Sequence, residues 1–491
     1  MTNQKNIIII GAGIGGLAAA ALLGKKGYNV TILEKNHCVG GRAMIYEQNG
    51  FRFDMGPSWY HMPEVFKAFF SLFNKSPADY YTLKKLDPQY RIFFADETII
   101  TIMRDLKKNL ATFESLEPGI SKKILEYLLL SKHEYETVRD CVLYQDLDSF
   151  KTFLNPEIRK KLSTLKVFQS LESLTKQYVT NHKLQQILLH QGLFIGLNPK
   201  ESRGFMSLFT HLDLAIGVEY PIGGINSFIQ ALVTLCKEHN VQILTNMDVS
   251  KVEVSKNNAK QVWVGNQKFT CDLVISNADY PYTETKLLEK EWQTYPESYW
   301  AKKNIAPSAF IVYLGTKGTF KSLLHHNYYF PLDWSGHFET IAQGRSLPYD
   351  PLIYFSCSSK TDPQVAPKGH ENLFITAAIP AGINISKEEK EQYASHLIRK
   401  LERYTKESIE KNIVLQHIFT VSDFEDTFNA YKGTAIGLSQ SVTQSMMLRP
   451  KQKSSKVKNM YYVGQYTNPG IGMPMCLISA ELVVQRICND Q

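Results

Sequence analysis

Ile7-Ile8-Ile9-Ile10-Gly11-Ala12-Gly13-Ile14-Gly15-Gly16 decides the fold of this 491-residue chain. Four β-branched residues in a row make a short, fully apolar strand. Gly11, Gly13 and Gly16 then set the pattern Gly-x-Gly-x-x-Gly in a turn. Leu17 to Lys26, rich in Ala and Leu, is predicted to be helical, and Gly27 stops it. Val30 to Leu33 reads as the next strand, with Glu34 at its end, 18 residues beyond Gly16. The glycine pattern alone is a weak signal. Between a strand and a helix, with an acid at the tip of the second strand, it describes a dinucleotide-binding unit.

The mechanism behind that pattern is specific. Gly11 permits the tight turn, Gly13 lets the backbone approach a pyrophosphate, and Gly16 lets helix and strand pack closely. The helix N-terminus offers unpaired N–H groups and a partial positive charge to phosphates. Glu34 can accept a hydrogen bond from a ribose diol and would repel a 2′-phosphate, which favours FAD or NAD over NADP. Gly40-Gly41-Arg42 follows six to eight residues after Glu34. A nicotinamide enzyme would place the helix of its next βαβ unit there. This chain instead has a second flexible turn and a fixed cation able to meet a phosphate, which tips the reading to FAD.

Working outward, length over roughly 150 predicts about three domains. Hydrophobic residues make up 44% and charged residues 21%, which excludes a disordered chain. Lys and Arg outnumber Asp and Glu by 55 to 47, a net charge of +8. That mild excess permits an anionic membrane surface, and without a basic stripe interleaved with aromatics nucleic acid is not an expected partner. The seven cysteines show no Cys-x-x-Cys spacing, so neither a metal site nor a disulfide framework is expected, and a reducing cytoplasmic setting fits. Ile7 to Gly24 is 18 residues without a charge, long enough to resemble a membrane span. Its four glycines and the absence of a basic leader beyond Lys5 argue against both a span and a signal segment.

Further along, residues 105–215 read as mostly helical. Ile158, Leu162, Leu165, Phe168, Leu171 and Leu174 recur at helical spacing among Lys160, Lys161, Lys166 and Lys176. Val241–Leu244, Val249–Val254, Gln261–Val264 and Leu273–Ser276 read as strands, with turns at Asn257-Asn258 and Gly265-Asn266. Residues 280–420 are mixed, and 460–486 run strand, Gly/Pro loop, helix. In that last block Tyr461 to Val463 is the strand, and the helix begins near Met473-Pro474 with Pro in its first turn. Arg449, Lys451, Lys453, Lys456 and Lys458 form a basic run that reads as a solvated loop or a second lipid contact.

Gly11 to Gly16, Glu34 and Gly40-Gly41-Arg42 together resemble the flavoprotein superfamily of amine oxidases and carotenoid desaturases. Two further stretches narrow this. Phe53-Asp54-Met55-Gly56-Pro57-Ser58 resembles the loop that bacterial-type phytoene desaturases place beside the flavin ring. Gly464-x-x-Thr467-x-Pro469-Gly470-x-Gly472-x-Pro474 resembles their C-terminal flavin signature. Pro221-x-Gly223-Gly224 and the run Asp272 to Asp279 also match. The resemblance spans the chain, strongest at the termini and faint over 105–215 and 290–420.

The resemblance implies an α/β, Rossmann-like FAD-binding domain with an inserted substrate-binding sheet domain and a helical, membrane-facing part. The FAD-binding domain would draw on residues 1–100, 220–285 and 420–491, the helical substrate-entry part on 101–219, and the substrate-binding domain on 286–419. Besides Gly11, Gly13, Gly16, Glu34, Gly41 and Arg42, it implicates Gly56, Pro57, Ser58, Gly464, Gly472 and Met473 in holding FAD, and puts Val249 near the adenine. The Met473 N–H would meet the flavin pyrimidine edge. The implied reaction is hydride transfer from an allylic carbon of a hydrophobic C40 polyene such as phytoene to flavin N5, with a proton lost from the next carbon. Desaturation of diapophytoene or at a 3,4 position, redox-neutral carotene isomerisation and amine oxidation stand as alternatives, and a non-catalytic FAD-bound membrane protein is a further one. A polyene dissolves only in a bilayer, so the protein is expected to sit peripherally on the inner face of the cell membrane, with Ile158 to Leu174 as one amphipathic interface. No proton acceptor can be assigned from the sequence. His61 is near the flavin loop but stands alone, and Ser149-Phe150-Lys151-Thr152 offers no carboxylate. The oligomeric state is left open.

Overall fold

The computed structural model describes residues 5–148, 154–196 and 198–490, so Ser149-Phe150-Lys151-Thr152 lies outside the described residues. The strand Asn6–Ile10 pairs in parallel with Asn29–Leu33 on one side and Leu273–Ser276 on the other. Gln242–Leu244 and Met460–Tyr462 complete the sheet at its two edges, also in parallel. Both faces are covered, which is why the strand carries an unbroken run of isoleucines rather than an alternating pattern.

On one face lies the helix Ile14–Lys25, packed against Ile225–Glu238 and the C-terminal helix Met473–Asn489. Ala18 to Ala21 are fully buried between them; the small side chains let the helices close on one another. Gly27, at φ 86°, ends the first helix as expected. On the other face lies an antiparallel meander of Val249–Ser255, Asn258–Val264 and Gln267–Thr270. Its third strand was not anticipated because Gln-Lys-Phe-Thr is polar and mostly exposed, an edge strand without an apolar signature.

A second sheet has seven strands, in the spatial order Ile413–Phe419, Ser308–Lys317, His370–Ile379, Ile353–Ser356, His326–Phe330, Tyr90–Phe94, Ile99–Ile102. Ser308–Lys317 and His370–Ile379 pair antiparallel along their whole length. Tyr90–Phe94 joins in parallel beside His326–Phe330, so chain from before residue 100 belongs to this sheet rather than to the dinucleotide sheet. Side chains alternate between its faces. Tyr329, Ile353 and Phe355 pack under the helix Lys387–Thr405, while Tyr328, Tyr354 and Phe374 turn the other way.

Helices dominate the segment between Leu106 and Ile216, as expected. The single amphipathic helix expected over 158–174 is instead two, Pro156–Leu162 and Leu171–Tyr178. Ser163 and Thr164 bond back to the carbonyls of Lys160 and Lys161, which ends the first helix. Ser170 caps the second by accepting from the Ser173 N–H. Leu171 and Leu174 are consequently core residues, whereas Phe168 in the connecting turn is 98% exposed. Among the described residues no helix is long and apolar enough to cross a membrane.

Candidate functional site

A single cavity of about 1160 Å³ lies where the two sheets and the helical segment meet. One arm opens at the carboxyl ends of Asn6–Ile10 and Leu273–Ser276. There the chain leaves the sheet in opposite directions, the place where doubly wound folds bind ligands.

Gly11, at φ 94°, donates its N–H to the Leu33 carbonyl, 2.8 Å away, and so joins the turn to the second strand. A Cβ on Gly13 would fall 2.6 Å from Asn277 Nδ2; one on Gly15 would fall 2.7 Å from Asn277 Oδ1; one on Gly464 would fall 2.9 Å from the same oxygen. The three glycines form a cradle around the Asn277 side chain. Gly15 and Asn277 were not singled out from the sequence. Their signal was Asn277's place directly after the buried Leu273–Ser276 strand. Gly16 does not line the cavity: its missing Cβ would sit 2.2 Å from the Gly11 carbonyl oxygen, so its role is the close fit of helix on turn.

Glu34 is buried at the cavity edge. Its Oε2 accepts from the Ala12 N–H at 2.7 Å, and its Oε1 accepts from the Asn36 N–H and side-chain amide at 2.9 and 3.1 Å. Burial raises its pKa, and these donors oppose the rise. Gly41, at φ 56°, would place a Cβ 3.2 Å from Gly13 Cα, and Gly56 one 2.5 Å from the Arg42 carbonyl oxygen, so three loops converge here. Arg42 Nη2 lies 3.6 Å from Asp279 and 3.4 Å from the Thr434 carbonyl, with its guanidinium over the Phe428 ring. Burial pushes the Asp279 carboxyl up to about 6, partly countered by Arg42. Pro57, Ser58 and Val249 also line the cavity. Arg449, placed above in a solvated basic run, is instead buried, and donates to Gln440 Oε1 and the Gln465 carbonyl.

The helix Met473–Asn489 begins at the cavity, behind Gly472 at φ 120°. No side chain caps its first turn and no acid stands there, so its N–H groups and positive dipole end face the cavity. The structure therefore gathers Gly11, Gly13, Glu34, Gly41, Arg42, Gly56, Pro57, Ser58, Val249, Gly464, Gly472 and Met473 on one cavity wall, with Gly16 behind it.

Beyond the glycine-lined arm the walls turn apolar: Trp59, Ile311, Tyr354 and Phe374 from the second sheet side, and Val142, Leu165, Phe209 and Leu212 from the helices. Polar side chains interrupt them, among them His61 and Gln191 beside the aromatic wall and Asn198, Glu201, Ser202 and Arg203 in the segment after the helix His182–Leu189. Burial holds the His61 imidazole down at about 4. Among the described residues no cluster of His, Cys, Asp or Glu could hold a metal ion.

A glycine cradle for a dinucleotide, a helix N-terminus at its far end and an adjoining apolar chamber define a two-part flavoprotein. The fold agrees with solved structures. An oxidoreductase from Methanosarcina mazei superposes with a TM-score of 0.66 at 17% identity, covering 98% of this chain and all of that one. The family model "Flavin containing amine oxidoreductase" matches residues 14–488. A carotenoid 3,4-desaturase of Haloarcula japonica is 38% identical over 487 residues, 99% of this chain and 98% of that protein. A zeta-carotene-forming phytoene desaturase of Myxococcus xanthus is 31% identical, over 99% of this chain and 94% of its own. A 4,4′-diapophytoene desaturase of Staphylococcus haemolyticus is 32% identical, over 99% of both chains. The chain belongs to the flavin-containing amine oxidoreductase family and, within it, to the carotenoid desaturases. It is an FAD-dependent oxidoreductase.

Proposed function

We propose that this enzyme desaturates a C40 polyene, taking phytoene toward more conjugated carotenes such as lycopene. The observation that carries the reading is the continuity of the cavity, from a polar glycine cradle into a chamber walled largely by apolar and aromatic side chains. When bound, FAD would supply the two-electron acceptor. Gly11, Gly13 and Glu34 hold its adenosine and pyrophosphate half, with Val249 beside the adenine. Gly41, Arg42 and Gly464 close over the phosphates. Gly56, Pro57 and Ser58 flank the ring. The N-terminus of the last helix, at Met473, meets negative charge that develops beside it. Trp59, Tyr354 and Phe374 exclude water from the reacting carbons.

A second reading is 3,4-desaturation of an already conjugated carotenoid. The 38% identity to a protein named for that reaction favours it.

The substrate enters from lipid. Exposed apolar side chains cluster on contacting helices: Leu125 at 44%, Leu129 at 69%, and Leu154, just before the helix Pro156–Leu162, at 61%. Phe168 stands at the mouth of the cavity itself. Lys122, Lys123, Lys132, Lys160 and Lys161 surround them in sequence, a pattern suited to anionic headgroups on the inner face of the membrane.

The test is anaerobic incubation of FAD-loaded protein in liposomes with phytoene, and separately with lycopene and diapophytoene. Flavin bleaching with loss of two hydrogens per step from phytoene supports the first reading. Bleaching by lycopene alone moves it to the second. Bleaching by none of the three removes both.

A further inference from the structure

The apolar chamber has a polar corner that the cofactor does not explain. His61 is half-buried in its wall, beside Trp59 at a ring separation of 5.2 Å, and its Nδ1 is buried without a hydrogen-bond partner. Behind it lies Gln191, whose amide nitrogen reaches His190 Nε2 at 3.0 Å and Asp213 Oδ1 at 3.1 Å. His190 Nδ1 is 2.7 Å from the Ile187 carbonyl and must donate to it, so His190 Nε2 accepts from Gln191. Both hydrogens of the Gln191 amide are thereby committed, and its carbonyl oxygen is the atom left for His61. The Gln191 side chain does favour the charged form of His61. Asp213 is 1% exposed, its other oxygen accepts from Tyr90 at 2.7 Å, and no salt bridge reaches it among the described residues. A buried carboxylate without a cation is costly, and such a group beside a ligand cavity is a candidate for a functional role.

We propose that His61 accepts the proton lost by the polyene at each desaturation, with Gln191 and Asp213 holding the imidazolium that forms. The proposal rests on the polyene reading above. Two C–H bonds on adjacent carbons break and one C=C bond forms. One hydrogen departs with its electron pair to the flavin, the oxidant that the enzyme class supplies. The other departs as a proton to the His61 imidazole, and its C–H electrons become the new π bond. His61 is the catalytic residue. Gln191 and Asp213 are positioning residues: the amide oxygen accepts from the imidazolium, and the carboxylate two hydrogen bonds away balances its charge. The proton leaves to water when product vacates the chamber.

The pairing has a pH signature. Burial pushes the Asp213 carboxyl up to about 7, so it is neutral below that pH and anionic above. The other titratable groups facing the pair are Tyr90, Tyr328, His190 and His326. The tyrosines are driven up and the histidines down by burial, so none of them changes charge between about pH 5 and 9. The rate of proton removal should therefore rise with pH through about 7.

The experiment follows polyene-dependent flavin reduction in the FAD-loaded, full-length enzyme in liposomes, from about pH 5 to 9. Wild type, His61→Gln and Asp213→Asn are compared, with FAD content checked in each. In parallel, infrared spectra without substrate follow the protonated-carboxyl band over the same range. The expected results are a wild-type rate rising through about pH 7 and a carboxyl band titrating there, lost in D213N together with the rising limb. H61Q, with normal FAD content, should be slower by roughly 100-fold. A wild-type rate in H61Q overturns the proposal and leaves the desaturase reading standing. So does a rising limb that survives in D213N, which decides the matter if H61Q does not fold. Flavin that no polyene reduces in wild type overturns both.

Discussion

Replacing Gly16 by alanine tests the closeness of helix and turn on which the cofactor cradle depends. The new Cβ would meet the Gly11 carbonyl oxygen at 2.2 Å, where real Cβ atoms essentially never come closer than 3.0 Å. The neighbour is backbone, so no side-chain rotation relieves the clash, and either the helix Ile14–Lys25 or the turn must move by several tenths of an ångström. Overpacking of this kind costs about 3 kcal/mol. Alanine's better helix propensity returns about 1 kcal/mol. The net, about 2 kcal/mol, falls on the turn that approaches the phosphates and corresponds to roughly 30-fold weaker FAD binding. The assay is titration of the apoprotein with FAD by flavin fluorescence quenching, with Gly27→Ala as the control. A Cβ added to Gly27, at φ 86°, would meet no neighbour within 4 Å, so its replacement strains the backbone by about 1 kcal/mol and leaves FAD affinity alone. G16A binding FAD as tightly as wild type would refute the argument from close packing, as would equal losses in the two variants.

Arg42→Ala should lower both FAD content and stability, the latter by more at pH 8 than at pH 5. Asp279 has a folded-state pKa raised from 3.8 to about 6, so its destabilising charge develops as pH rises through that range, and without Arg42 the largest group that offsets it is gone. Urea melts at the two pH values check the sign. Met473→Pro keeps a residue suited to the first helical turn but deletes one N–H. Flavin reduction by substrate should slow by roughly 10- to 100-fold with normal FAD content, measured by anaerobic stopped flow. Phe168→Asp should cut co-flotation with anionic liposomes several-fold while the flavin spectrum stays unchanged; unchanged flotation would place the lipid contact elsewhere.

Much of the cofactor arm was legible because its requirements are local. A tight turn, a close helix and an acid at a strand tip each demand particular residues at fixed spacing, and Gly11, Gly13, Gly16 and Glu34 meet them within one βαβ unit. Asn277 was legible only as part of the matching run Asp272 to Asp279; its place in the cradle was not, since it arrives on a strand more than 200 residues away whose pairing no local pattern announces. The stripe from Ile158 to Leu174 misled for a related reason. Its spacing is helical, but Ser163, Thr164 and Ser170 divert backbone bonding, and side-chain caps outweigh periodicity over such short runs. Asp213 and Gln191 were invisible because their significance lies in tertiary neighbours: no salt bridge reaches the carboxylate among the described residues, and the amide joins it to His190 and to His61 across the fold.

The order of strands in the parallel sheet also governs how the chain can be made. Asn6–Ile10 lies in the middle, yet its inner partner is Leu273–Ser276 and the far edge is Met460–Tyr462. At roughly 5–20 residues per second, the first strand and its isoleucines wait on the order of 10–50 s at the ribosome before their neighbour emerges. Through that interval one long edge of the nascent βαβ unit is unpaired and wholly apolar, a template for association with other chains. That edge is the surface a holding chaperone would have to cover. FAD cannot stabilise the nascent chain during that wait, because its pocket is completed only by the last thirty residues.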